Sequence, residues 1–174
     1  EQGLALQPVC EFDIPYKKKN LLVKVSSLTW EGLVVYFVDG PLIPPDAPVY
    51  SRDHLADAAK YAFFSIAALR LAQELGWQPD ILHANDWHTA LAVYAMKQNQ
   101  ANDPFFTNTC AVIGVHNLPY LGNGSKSLLN AFGLRPAAHP LLPKWARTLP
   151  LPLGLLTADR IVAVSPGYAR EILT

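Results

Sequence analysis

Two short segments, each directly behind an apolar run, carry the side chains best suited to chemistry. One is Asp86-Trp87-His88 and the other is the pair His116-Asn117. A carboxylate, imidazoles and an amide in this pattern can hold a substrate by hydrogen bonds and support charge that develops during a reaction. Polar groups left unpaired at the mouth of a buried sheet cost about 1–3 kcal/mol each. The His116-Asn117 pair therefore favours a functional role.

Structural interpretations of the same residues remain open. Asp86 and Thr89 can cap a helix that begins there, Trp87 can pack in a core, and His88 can lie in an exposed first turn. A metal site is a further alternative, formed by four side chains: His83, Asp86, His88 and His116. Their spacing matches no zinc pattern, so we expect no metal. The chain also has no G-x-S-x-G elbow, GxGxxG or P-loop sequence.

The elements that must position these residues follow from the spacing of apolar side chains. Apolar, β-branched residues predict a β-hairpin with strands at 21–28 and 33–38. Helical spacing predicts a long helix over 53–75, capped by Asp53 and ended by Gly76. Prolines concentrate in 41–48 and 136–152, which we therefore expect to lie in loops, the first of them over 39–52.

Beyond residue 76, short strands alternate with helices. Strands are predicted at 81–83, 111–115 and 160–164, and helices at 89–97 and from Ser165-Pro166 onward. This alternation is typical of a parallel sheet with helical crossovers, so the predicted fold class is α/β. Ligands bind beyond the carboxyl ends of such strands, which is where both polar segments fall.

The composition excludes several classes of function. The chain has 174 residues, 51% of them apolar, and 14 basic residues balance 14 acidic ones. One domain of this size can bury a core without disulfides, and the balanced charge makes nucleic acid an unfavourable partner. Cys10 and Cys110 lie far apart in sequence and fit no CxxC or zinc spacing, so we expect free thiols. No apolar run is long enough to span a membrane, which favours a cytosolic or organelle-stromal chain.

Several blocks of the sequence resemble, in order, the bacterial glycogen synthases and plant starch synthases. They are VYFVD at 35–39 before a proline-rich loop, YSRD at 50–53 at the entry of the long helix, PDILHANDWHTAL at 79–91, VHNLPY at 115–120 and ADRIVAVSPGYAREI at 158–172. The resemblance covers most of the chain. It implies a Rossmann-like parallel sheet with flanking helices, as a partial N-terminal domain of a GT-B fold, with the hairpin near its start.

The same resemblance implies an activity. Such enzymes transfer glucose from ADP-glucose to the non-reducing end of an α-1,4-glucan with retention, and need no metal or other cofactor. His116 would reach the donor sugar, and Asp86 would position sugar hydroxyls or the His116 loop. Substrate contacts would come from the neighbouring side chains: Asn117, Trp87, His88 and Tyr120. The resemblance also implies that the protein works in the cytoplasm, or in the plastid stroma if it comes from a plant.

The chain also departs from the family pattern. It has no KxGGL loop, Leu121 replaces a glutamine, and 149–152 replaces a segment with a lysine. We expect residues 1–174 to be one partial domain without the C-terminal nucleotide-binding domain, inactive alone and prone to self-association through an uncovered apolar face. One alternative is a non-catalytic glucan-binding or scaffolding paralogue, and another is a GT-B transferase that uses a different nucleotide sugar.

Overall fold

The computed structural model describes residues 5–173, which contain two three-stranded sheets. The first sheet is antiparallel, in the order β1-β2-β3. Its strands are β1 (Gln7–Tyr16), β2 (Lys19–Trp30) and β3 (Leu33–Asp39). The predicted hairpin is the β2–β3 pair, and it is confirmed. Its two-residue turn places Glu31 and Gly32 at φ +49° and +81°, the geometry of a type I′ turn.

Strand β1 was not predicted. Pro8 and Pro15 interrupt its sequence, and its pairing with β2 shifts between Pro8 and Cys10. Proline is tolerated there because β1 lies at the edge of the sheet. Phe12 and Ile14 are nevertheless buried in the core, so β1 supplies core contacts that the sequence pattern did not predict.

Helix α1 (His54–Glu74) is confirmed almost to the residue. The Asp53 carboxylate accepts hydrogen bonds from the N–H groups of Leu55 and Ala56, at 2.9 and 3.1 Å. At the other end, Gly76 adopts φ +61° directly beyond the last turn. Phe63 is fully buried in a cluster with residues of β1 and β2, so α1 covers one face of the first sheet.

The second sheet is parallel, which confirms the α/β class. Its strands are β4 (Ile81–Asn85), β5 (Cys110–Val115) and β6 (Arg160–Ala163), in the order β4-β5-β6. Helix α2 (Asp86–Asn99) begins directly at the end of β4, three residues earlier than predicted. A run of seven residues at its centre, 90–96, is buried between the sheet and the other helices. The end of β4 is thereby held rigidly.

The prediction of a loop over the whole proline-rich stretch 136–152 is wrong, because helix α4 (Pro150–Thr157) begins inside it. Pro150 occupies the first helical position, where the missing N–H costs nothing. Gly154 brings α4 against α2, since a Cβ there would lie 2.8 Å from the Ala90 Cβ. Helix α3 (Lys126–Ala131) was also not predicted.

Helix α5 (Pro166–Glu171) follows β6 as predicted. The Ser165 hydroxyl accepts a hydrogen bond from the Tyr168 N–H at 3.0 Å, which confirms the cap. Two 3-10 helices, Pro104–Phe106 and Lys144–Ala146, complete the described elements. Both cysteines are free, in agreement with the prediction.

Candidate active site

The carboxyl ends of β4 and β5 open onto a cleft of about 440 Å³, at the sheet edge predicted to bind ligand. The lining side chains come from this edge and from the segment that enters α1: Tyr50, Ser51, His54, Asp57, Asp86, Trp87, His88, Asn117 and Tyr120. Five of the six predicted site residues are among them. The sixth, His116, lies beside the cleft in contact with Asp86.

Asp86 joins the ends of the two strands. Its Oδ1 accepts hydrogen bonds from the backbone N–H of His116 at 2.8 Å and of Asn117 at 3.1 Å. The residue adopts φ +51°, a left-handed conformation that aspartate and asparagine tolerate better than other residues with a Cβ. The N-cap of α2 is Asn85, and the Asp86 carboxylate is turned to β5 instead. The interpretation of Asp86 as only a cap is therefore wrong.

The same carboxylate orients the His116 imidazole. Asp86 Oδ2 lies 3.2 Å from His116 Nδ1, so the carboxylate faces this ring nitrogen. The His116 side chain is about half exposed, at 48%, while that of Asp86 is mostly buried. An oriented imidazole thus stands at the rim, where it can hydrogen-bond or support positive charge.

Trp87 and His88 form an aromatic floor with two tyrosines. The His88 ring lies 4.4 Å from Trp87, 4.6 Å from Tyr61 and 5.4 Å from Tyr50, measured between centroids. Trp87 also packs against the core below the parallel sheet, which confirms its structural interpretation, and it lines the cleft as well. His88 is half-buried, not an exposed first-turn residue.

The His88 imidazole carries an unused polar atom. Its Nε2 is buried and has no hydrogen-bond partner within residues 5–173. Burial lowers the pKa of His88, although the nearby Asp86 and Asp57 carboxylates act in the opposite sense. A neutral imidazole can accept or donate one hydrogen bond through Nε2, depending on its tautomer. A hydroxyl group in the cleft would be a suitable partner.

The loop after β5 is held by contacts with α4 and α5. The Leu118 N–H donates to the Tyr168 hydroxyl of α5 at 2.7 Å. Gly122 adopts φ +86°, and a Cβ there would lie 2.8 Å from Pro150 and 2.9 Å from Trp87. This close approach fixes the loop beside the cleft, with Tyr120 about 62% exposed at its mouth.

Four lining residues were missed by the sequence analysis: Tyr50, Ser51, His54 and Asp57. They lie at the end of the proline-rich loop and in the first turn of α1. The predicted N-cap at Asp53 lies next to these residues in the sequence. Hydrophobic periodicity, however, does not predict which surface an irregular loop packs against. Their place opposite β4 and β5 follows from tertiary packing alone.

The described residues lack two further kinds of site. Across residues 5–173 no three histidine, cysteine, aspartate or glutamate side chains are grouped closely enough to hold a metal ion. Over the same span, no helix combines the length and apolar character needed to cross a membrane.

Comparison with known proteins gives one family. Residues 2–174 match the family model described as starch synthase catalytic domain. Glycogen synthase from Vibrio parahaemolyticus is 36% identical over 166 residues, which are 92% of this chain and 33% of that protein. Glycogen synthase from Aeromonas salmonicida is 34% identical over 155 residues, 87% of this chain and 32% of that protein. This chain therefore spans about a third of these relatives' length.

A solved structure gives the same result. The catalytic domain of starch synthase IV from Arabidopsis thaliana, bound to ADP and acarbose, superposes with a TM-score of 0.81 and 26% identity. The match covers 97% of this chain and 36% of that one. It agrees with the expected GT-B type of fold. The chain belongs to the starch synthase catalytic domain family.

Proposed function

We propose that the protein transfers glucose from ADP-glucose to the non-reducing end of an α-1,4-glucan, with retention of the anomeric configuration. The observation that carries this proposal is the Asp86 carboxylate, which holds the His116 backbone and imidazole at the rim of the cleft. Family membership supports glucosyl transfer, and the ADP and acarbose bound by the Arabidopsis enzyme are a nucleotide and an oligosaccharide analogue.

The proposed roles follow from the chemistry of the transfer. An oxocarbenium-like centre and a departing phosphate need positioned hydrogen bonds in a site poor in water. His116 contacts the donor sugar, Asn117 holds its loop or a sugar hydroxyl, and Asp86 positions both. Trp87, His88 and Tyr120 contact the glucan. In this proposal the donor is a substrate, no metal or other cofactor takes part, and the protein works in the cytoplasm or a plastid stroma.

The test is glucose transfer onto glycogen from ADP-glucose and from UDP-glucose, measured with the natural full-length protein. We expect transfer from ADP-glucose that falls by at least 100-fold in His116→Ala. His139→Ala is the matched control, because the exposed His139 imidazole accepts a local hydrogen bond from the Leu141 N–H and does not line the cleft. Equal loss in both variants would contradict the role of His116.

A glucan-binding paralogue without catalysis is the second candidate. Leu121, which stands where the family pattern has a glutamine, packs with the core below the parallel sheet, and its carbonyl accepts the Leu151 N–H at 3.2 Å. An apolar side chain that packs in the core thus stands where the family pattern has a polar one. Glycogen binding without transfer from either donor would favour this candidate over the enzyme.

We further propose that the 174 residues alone do not elongate glucan, because a transferase cleft needs a second wall to exclude water and fix the donor. In the relatives the matched region is about a third of the protein. Glucan elongation by the 174-residue chain would contradict this proposal.

The edge of the parallel sheet supports a proposal of self-association. Apolar side chains on and beside β6 are half-exposed: Ile161, Val162 and Val164. An apolar edge strand presents unpaired backbone groups and tends to pair with another chain. We expect the 174-residue chain to form dimers or larger species in sedimentation at micromolar concentration, and Val162→Lys to reduce them. A monomer in both cases would contradict the proposal.

A further inference from the structure

Asp57 and Lys60 form an ion pair beneath the wall of the cleft that faces β4 and β5. The Lys60 Nζ lies 3.0 Å from the Asp57 Oδ1, and the two side chains are only 11% and 7% exposed. Burying two charges costs several kcal/mol unless other hydrogen bonds satisfy them. Neither residue has a part in the proposed chemistry, so the reason for this pair lies in what else it binds.

The pair binds the last residues of the proline-rich loop. The Lys60 Nζ donates to the carbonyls of Pro48 and Val49, both at 2.8 Å. The Asp57 Oδ2 accepts the Ser51 N–H at 2.8 Å. The neighbouring Tyr61 hydroxyl donates to the Val49 carbonyl as well. Within the described residues, these four hydrogen bonds tie segment 48–51 to helix α1.

These contacts favour the ionised form of the Asp57 carboxyl. Burial by itself would raise the pKa of Asp57, but the Ser51 N–H and the Lys60 ammonium hold it below its ordinary value. Removing one partner would leave an uncompensated buried charge, so the contact with segment 48–51 is costly to break. The segment is thus fixed although it forms no strand or helix.

What the segment presents to the cleft is an exposed aromatic ring. Tyr50 lines the cleft and is 63% exposed, and its ring centroid lies 5.4 Å from that of His88. Tyr120 stands at the same cleft with similar exposure. Exposed aromatic rings on both sides of a cleft offer apolar faces that suit the C–H face of a pyranose, while their hydroxyls stay in water.

We propose that Asp57 and Lys60 are positioning residues that hold segment 48–51, so that the Tyr50 ring forms a stacking surface for a glucose unit of the α-1,4-glucan. The ligand in this inference rests on the proposed function. The positioning part rests only on the contacts of segment 48–51 with α1, and it has its own readout below.

The experiment measures maltoheptaose affinity by calorimetry and hydrogen exchange of the Ser51 amide in the full-length protein. We expect Tyr50→Ala and Lys60→Met each to weaken binding about tenfold, or about 1.4 kcal/mol. Lys60→Met should also speed hydrogen exchange of the Ser51 amide. Lys60→Arg keeps the charge and the hydrogen-bond donors, so its affinity and its exchange rate should lie between those of Lys60→Met and the unmodified protein. Two controls should bind as the unmodified protein does: Trp145→Ala removes an exposed ring outside the cleft, and Lys97→Met breaks another ion pair.

Each of the remaining outcomes would overturn one named part of the proposal. If Tyr50→Ala weakens binding and Lys60→Met changes neither readout, the positioning role is wrong. If Tyr50→Ala leaves the affinity unaltered, the stacking role is wrong. If the unmodified protein does not bind maltoheptaose, the glucan of the proposed function is wrong, and the Tyr50 assignment with it, while Ser51 exchange still decides the positioning role. Should Lys60→Met not fold, the double variant Asp57→Asn/Lys60→Met, which leaves no unpaired charge, replaces it.

Discussion

Asp86→Ala removes the carboxylate that joins the ends of β4 and β5, and we expect it to lower the free energy of unfolding by about 3 kcal/mol. The two hydrogen bonds to the His116 and Asn117 N–H groups contribute about 1 kcal/mol each, since this edge of the sheet is partly exposed. Alanine at φ +51° costs about 1 kcal/mol more, because it lacks the local hydrogen bonds that make aspartate acceptable there.

Two further variants separate these contributions. Asp86→Gly loses the hydrogen bonds but relieves the left-handed strain, so it should be more stable than Asp86→Ala by about 1 kcal/mol. That order is the reverse of the usual preference for alanine over glycine in a helix. Asp86→Asn keeps an acceptor oxygen and a tolerated conformation, so it should stay within about 1 kcal/mol of the unmodified protein. Urea unfolding with a common m-value measures all three.

The effect on transfer should exceed the effect on folding. A displacement of His116 by about 1 Å is enough to cost about 100-fold in rate, and Asp86→Ala should reach that loss under conditions where it is fully folded. Asp103→Ala is the matched control, because Asp103 also accepts two hydrogen bonds, from Phe105 and Gln73, but does not line the cleft. The reasoning is refuted if Asp86→Ala loses less than about 1 kcal/mol, or if it is more stable than Asp86→Gly.

Two other predictions concern stability. The Ala111 N–H and the Lys97 ammonium lower the pKa of Asp159. The ionised carboxylate therefore stabilises the fold fully above the pKa of the unfolded chain, about 4, and this stabilisation is lost as the pH falls through the lower pKa of the folded protein. Asp159→Asn should therefore cost about 1 kcal/mol in urea unfolding at pH 7 and less at pH 3; an equal cost at both would contradict this. Gly154→Ala should cost about 1–3 kcal/mol, because its Cβ would meet Ala90 and Ile113, and an unchanged melting temperature would show that α4 can shift away.

The sequence predicted the elements whose signals are local. Helix α1 has a capping aspartate, a helical apolar pattern and a glycine stop, and all three are seen in the structure. The β2–β3 hairpin and the parallel strands follow from apolar, β-branched runs. Strand β1 and helix α4 were missed because prolines obscure them, although an edge strand and a first helical position are where proline is tolerated.

For the candidate site, the sequence by itself determined which side chains gather at the carboxyl ends of β4 and β5, since parallel strands bring the residues behind them to one edge. Tertiary structure alone decided that the Asp86 carboxylate turns towards the end of β5. A left-handed φ, and a hydrogen bond between residues 30 positions apart in the sequence, produce no periodic sequence pattern. Tertiary structure also decided the opposite wall. Tyr50 reaches the cleft because the buried Asp57–Lys60 pair binds its segment, and no local pattern specifies where an irregular loop packs.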